Sequence, residues 1–236
     1  MSQLRTAEAP VRPRPLLFRP LVAFAPYAVV SIAYLVGILT GAVGFTDAVK
    51  ATLMPALLLG FLLVLAGRRR AGEPGPGIRA TALTTGGLVL SWLGDVLLGP
   101  SFVLGLAFFL AAHVCYIVLF WTSFGRRPSW WGLLALPWFA ALLWLLAPSL
   151  GELLPVVAVY GAVLGFMAVS ATRGNLLTTL GGLFFVASDS LLAFRLFTPL
   201  FQTPPEDAVI MVFYLLAQLC IVLGVLQRAR LGSPHG

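Results

Sequence analysis

Charge is what this sequence has least of. Asp, Glu, Lys and Arg make up 10% of its 236 residues, hydrophobic residues make up 60%, and the mean hydropathy is +0.99. A soluble domain of this length has nowhere to hide so much apolar surface, whereas a polytopic membrane protein turns it toward lipid. Cysteine is scarce too. Cys115 and Cys220 each stand inside an apolar run and read as small buried hydrophobes, not as a disulfide or metal pair. No Cys/His cluster has zinc spacing, so neither a metal nor an organic cofactor is expected. The formal charge of +7 sits in short clusters between apolar stretches. With no basic domain and no aromatic-basic stripe, a nucleic-acid partner is excluded.

Long apolar runs are what the sequence has most of. Eight can be marked, at roughly 21–40, 52–66, 80–98, 102–124, 130–147, 152–170, 174–196 and 208–227. Each is close to the ~20 residues that carry a helix across a bilayer core. The expected architecture is all-α: an irregular basic tail at 1–20, one eight-helix transmembrane domain at 21–227 and a short tail at 228–236. No convincing cleavage site follows the first apolar run, which reads as a retained helix and not a signal peptide.

The basic residues set the orientation. With eight spans, Arg5, Arg12, Arg14, Arg19, Arg68, Arg69, Arg70, Arg79, Arg126, Arg127, Arg173, Arg228 and Arg230 all fall on one side of the membrane. Lys50 and Arg195 fall on the other. The positive-inside rule then puts both termini in the cytoplasm, here of a bacterial inner membrane. A weak internal repeat accompanies this: GGLVLSWLGDVLL at 86–98 resembles GGLFFVASDSLLA at 181–193, and AHVC at 112–115 resembles AQLC at 217–220. This implies two four-helix halves related by an axis along the membrane normal.

Two carboxylates stand alone in the apolar runs, Asp95 in the third segment and Asp189 in the seventh. Each lies fifteen residues into an outward-running helix, ~22 Å along its axis, so the two sit at matched depth. An ionised Asp at a membrane helix centre costs ~2.5–3.5 kcal/mol on insertion scales, and such residues usually face the bundle interior and pair or act there. Two nearby carboxyls in an apolar site share their protons unequally. One proton donor beside one carboxylate is the equipment for acid-catalysed ether or acetal cleavage. His113 and Tyr116 on the fourth segment, Tyr160 on the sixth, and Tyr214 and Gln218 on the eighth fall at similar depths. Lys50 stands near the outer mouth, either snorkelling to the interface or meeting a phosphate. Two other readings remain open. Each Asp can serve as a structural hydrogen-bond partner of a neighbouring helix, and buried acids with a histidine also make the relay of a proton-coupled transporter.

The ordered set LGDVLL (93–98), GLAFFLAAHVCY (105–116) and FFVASDSLLAF (184–194) resembles the YhhN-like membrane family over about residues 27 to 227. A lysine-proline stretch before the family's second helix is similar to Lys50 and Pro55, although the proline here is displaced. The resemblance implies a lysoplasmalogenase, which hydrolyses the vinyl ether of a lysoplasmalogen to a fatty aldehyde and a glycerophospho-ethanolamine or -choline. It implies Asp95 and Asp189 as the catalytic pair, with Asp189 as acid and Asp95 as base or the reverse. Lys50, His113, Tyr116, Tyr160, Ser188, Tyr214 and Gln218 form the supporting or substrate-binding set. The expected partners are a lysophospholipid and the surrounding membrane lipid. The sequence assigns no oligomeric state.

Overall fold

A computed structural model describes residues 22–199 and 202–231. The expected tail at 1–20, with its four arginines, and residues 232–236 lie outside the described residues. Among the described residues every regular element is helical. They are α1 (Ala25–Thr40), α2 (Val43–Arg70), α3 (Ile78–Leu97), α4 (Phe102–Ser123), α5 (Ala135–Leu150), α6 (Leu154–Ala171), α7 (Leu176–Phe197) and α8 (Pro204–Leu231). Short 3-10 turns at Trp130–Leu134 and Gly151–Leu153 lead into α5 and α6.

Six helical stretches are long and apolar enough to cross a bilayer: Val43–Arg70, Ile78–Leu97, Phe102–Ser123, Gly132–Ala171, Leu176–Phe197 and Pro204–Ala229. Ala25–Thr40 is a shorter apolar helix. The protein is therefore an all-helical, multi-pass membrane protein, as its hydropathy requires. Length and composition give six candidate spans and not eight, because Ala25–Thr40 falls short and the 40-residue stretch Gly132–Ala171 contains both α5 and α6. The outer surface agrees with a lipid setting: Val29, Ile32, Leu39 and Trp144 are 55–79% exposed.

Local chemistry explains several of the boundaries. Gly41 ends α1 in the left-handed region at φ 70°, donating its N–H to the Ile38 carbonyl at 3.1 Å, while Ala42 N–H reaches Gly37 O at 3.0 Å. A residue without a Cβ adopts this turn at little cost. Asn175 caps α7: its side chain accepts from Thr178 N–H at 3.1 Å and donates to Gly224 O on α8 at 2.8 Å. Pro55 lies inside α2 and has no N–H to give the Ala51 carbonyl. Trp92 of α3 supplies the missing donor, its Nε1–H reaching Ala51 O at 2.8 Å.

Apolar burial drives little helix association in lipid, so close packing of small residues takes over. α3 with α4, and α7 with α8, are the most extensively packed pairs. A Cβ on Gly105 would lie 2.5 Å from the Leu98 Cα, and one on Gly181 would lie 2.7 Å from Ile221 Cγ1. α8 is the most deeply buried helix and packs on α7, α1 and α3. Tyr27 of α1 donates to the Leu215 carbonyl of α8 at 2.8 Å.

Candidate functional site

The last turn of α3 carries Asp95, and its neighbours decide what it faces. Asp95 is only 7% exposed, yet it lines a cavity of about 340 Å³ bordered by residues of α2 to α8. Asp189, near the middle of α7, lines the same cavity and is partly accessible from it. Two acids separated by 94 positions in sequence thus open into one space. The remaining wall is largely aliphatic and aromatic, including Leu106, Phe109, Phe139, Leu146 and Leu192.

Each carboxyl holds a tyrosine. Tyr214 of α8 donates its hydroxyl to Asp95 Oδ2 at 2.6 Å. Tyr160 of α6 donates to Asp189 Oδ2 in a short hydrogen bond. Both tyrosines are buried and also line the cavity. A tyrosine O–H occupies one oxygen of each carboxyl and leaves the other for substrate or water. Phe109 packs edge-on against the Tyr214 ring with centroids 6.0 Å apart. Ser188, next to Asp189, lines the cavity and donates to Ile210 O at 3.1 Å, tying α7 to α8 beside the acids.

Lys50 is the one cation among the cavity-lining residues. It sits in the second turn of α2, which begins at Val43 and not at the expected 52. Asp47, one turn earlier, is exposed and does not line the cavity. The other cation on this half of the sequence pattern, Arg195, is occupied by Asp207 at 2.7 Å.

Three expected site residues stand behind this layer and do not line the cavity. His113 is fully buried, its ring packed edge-on to Tyr160 at 5.6 Å and to Phe185 at 5.0 Å. Neither of its nitrogens has a hydrogen-bond partner among the described residues. Tyr116 donates to Gln218 Oε1 at 2.7 Å, both side chains being fully buried. The fourth helix therefore presents Phe102, Leu106 and Phe109 to the cavity, while His113 and Tyr116 lie one and two turns further along. The sequence places these polar groups at similar depth, and depth alone does not say which groups share a wall. The apolar lining from α5 left no signal to find it by, since Leu142 and Leu146 carry no mark that separates them from lipid-facing leucines. Cys115 and Cys220 are both free and partly buried. Among the described residues no three His, Cys, Asp or Glu side chains come together as metal ligands would.

Comparison with known proteins identifies the family. The profile of the YhhN family matches residues 45–225, a stretch that contains both aspartates, both tyrosines and Lys50. A lysoplasmalogenase of the pig Sus scrofa, TMEM86B, is 35% identical over 170 residues, which cover 69% of this chain and 70% of that protein. No solved structure matches the chain. An all-helical membrane chain matched by this profile over most of its length is a member of the YhhN family.

Proposed function

We propose that the protein is an intramembrane hydrolase of the lysoplasmalogenase kind, cleaving the vinyl ether of a lysoplasmalogen. The observation that carries this reading is the pair of carboxyls on α3 and α7 opening into one apolar cavity, each held by a tyrosine hydroxyl. Family membership and the similarity to a lysoplasmalogenase support it.

The chemistry needs one neutral and one ionised carboxyl. In this reading Asp189 is the proton donor and Asp95 the carboxylate, with Lys50 the one cation lining their shared cavity. Asp189 gives its proton to the outer alkene carbon, and the adjacent carbon and ether oxygen become an oxocarbenium ion. Asp95 stabilises that cation and takes a proton from a water, whose oxygen bonds to the cationic carbon. The hemiacetal then collapses: Asp95 returns its proton to the leaving glycerol oxygen, and Asp189 regains one from the hemiacetal hydroxyl. One water is consumed, and both carboxyls end as they began. The alkenyl chain lies along the aliphatic wall, reached from lipid, and Lys50 meets the headgroup phosphate.

The same reading places the chain in a bacterial inner membrane with eight crossings and both termini on the arginine-rich side. The fold-back at Gly151, which brings Phe139 of α5 against Gly161 and Gly165 of α6, supports counting two crossings within Gly132–Ala171. The α3–α4 and α7–α8 hairpins would be the corresponding parts of the two halves. The test is aldehyde release from lysoplasmalogen by the purified protein. A proton-coupled transporter would release none and would instead move solute down a pH gradient in vesicles.

A further inference from the structure

The three helices that supply Asp95, Phe109 and Tyr214 to the carboxyl cavity have opposite ends, and those ends enclose a second hollow of about 450 Å³. It lies between the start of α3, the end of α4 and the end of α8. Along α3 it begins at Ala80, ~22 Å of helix from Asp95. It is therefore a separate site, at the other end of the bundle.

Its lining is cationic with no compensating acid. Arg79 of α3 and Arg228 of α8 both line it, and no carboxylate does. Arg79 makes no hydrogen bond or ion pair among the described residues. The Arg228 guanidinium rests over the Phe124 ring at 5.1 Å, which fixes its position without neutralising it. The nearby Arg173 is otherwise engaged, stacked over Trp121 at 3.9 Å. Both arginines are exposed, and the loop 74–77 that lines the same hollow leads into α3, whose N-cap Gly77 offers no side-chain cap to the first backbone N–H groups. Two guanidinium forks from different helices beside uncapped N–H groups suit an anion with several acceptor oxygens.

We propose that this hollow binds a phosphate group. Its place at the ends of apolar helices long enough to cross a bilayer favours the headgroup of an anionic phospholipid over a soluble phosphate. The site stands apart from the carboxyl cavity, and its occupancy does not depend on the reaction proposed above.

The test uses the full chain in neutral detergent and measures thermal unfolding with added phosphatidylglycerol, phosphatidylcholine or glycerol 3-phosphate. At a hundredfold excess over Kd, phosphatidylglycerol raises the midpoint by about 5–10 °C. The rise shrinks as salt screens the arginines. It is lost in Arg79→Gln/Arg228→Gln and largely kept in Arg79→Lys/Arg228→Lys, while aldehyde release in neutral detergent is unchanged in both. A rise of equal size with glycerol 3-phosphate, also lost in the Gln variant, supports the phosphate site and assigns it a soluble ligand. If the Gln variant misfolds, the salt dependence and the Lys variant carry the test alone. No rise with either phosphate, or an undiminished rise in a folded Gln variant, overturns the proposal.

Discussion

At the scale of single residues, the acids were legible because nothing in an apolar run accounts for a lone Asp. Asp95 and Asp189 announce themselves by the energetic cost of their positions. The tyrosines were visible only as polar groups at matching depth, and their pairing with particular acids needed the structure. Tyr214→Phe and Tyr160→Phe each remove one hydroxyl from a carboxyl while keeping the ring. Losing a hydrogen bond to a charged group costs roughly 1.5–3 kcal/mol and to a neutral one roughly 0.5–1.5, so steady-state aldehyde release should fall about tenfold or more in kcat for Tyr214→Phe and several-fold for Tyr160→Phe. Unchanged kcat in both would mean that the hydroxyls only pack. His113 is the contrasting case. The sequence singled it out as a titratable group near the acids, but packing against Phe185 and Tyr160 keeps it off the cavity wall. His113→Leu fills similar space and removes two unpartnered buried nitrogens. Its activity should stay within a few-fold of wild type, with thermal stability equal or higher. A loss as large as that of an Asp variant would place the imidazole in the chemistry.

At the scale of elements, hydropathy located the helices but not their ends. Hydropathy marks the second segment at 52–66, whereas α2 runs from Val43 to Arg70. Polar Asp47 and Lys50 and the terminal arginines lower local hydropathy without interrupting the helix, so a hydropathy window stops where the backbone continues. The tertiary repair of Pro55 left no trace in the sequence either. Trp92→Phe would strand the partly buried Ala51 carbonyl and should cost about 1–2 kcal/mol in denaturation measurements. In a Pro55→Ala background the helix regains its own N–H donor to that carbonyl, and the Trp92 change should cost distinctly less. Additive effects would show that the indole acts through packing alone. The α3–α4 hairpin makes a sharper demand. Gly105→Ala drives a Cβ against backbone at Leu98, which has no side-chain end to swing away. A loss of about 1–3 kcal/mol in stability is expected.

At the scale of the whole molecule, the arginine pattern carried more information than any motif. It supports a bundle with one arginine-rich end and one end that holds only two cations, Lys50 and Arg195. The two hollows fit that polarity, with the carboxyl cavity at one end of α3, α4 and α8 and the arginine-lined hollow at the other. What the sequence did not contain was the choice of walls: which faces of which helices surround the acids depends on packing between residues that look alike in composition. If the arginine-bearing loops are cytoplasmic, a cysteine placed at Gly75 in a cysteine-free background reacts with an impermeant thiol reagent only from inside. One placed at Pro100 reacts only from outside. Labelling of both from the same side would break the orientation.

The most direct measurement is aldehyde release from lysoplasmalogen by purified wild type, Asp95→Asn and Asp189→Asn, with folding checked by thermal unfolding. Asn keeps the volume and removes the transferable proton. General acid–base catalysis is typically worth about 10²–10⁴ in rate, so a paired-carboxyl hydrolase predicts a loss of that size in each folded variant. Full activity in either variant, or no aldehyde from the wild type, would contradict the paired-carboxyl mechanism.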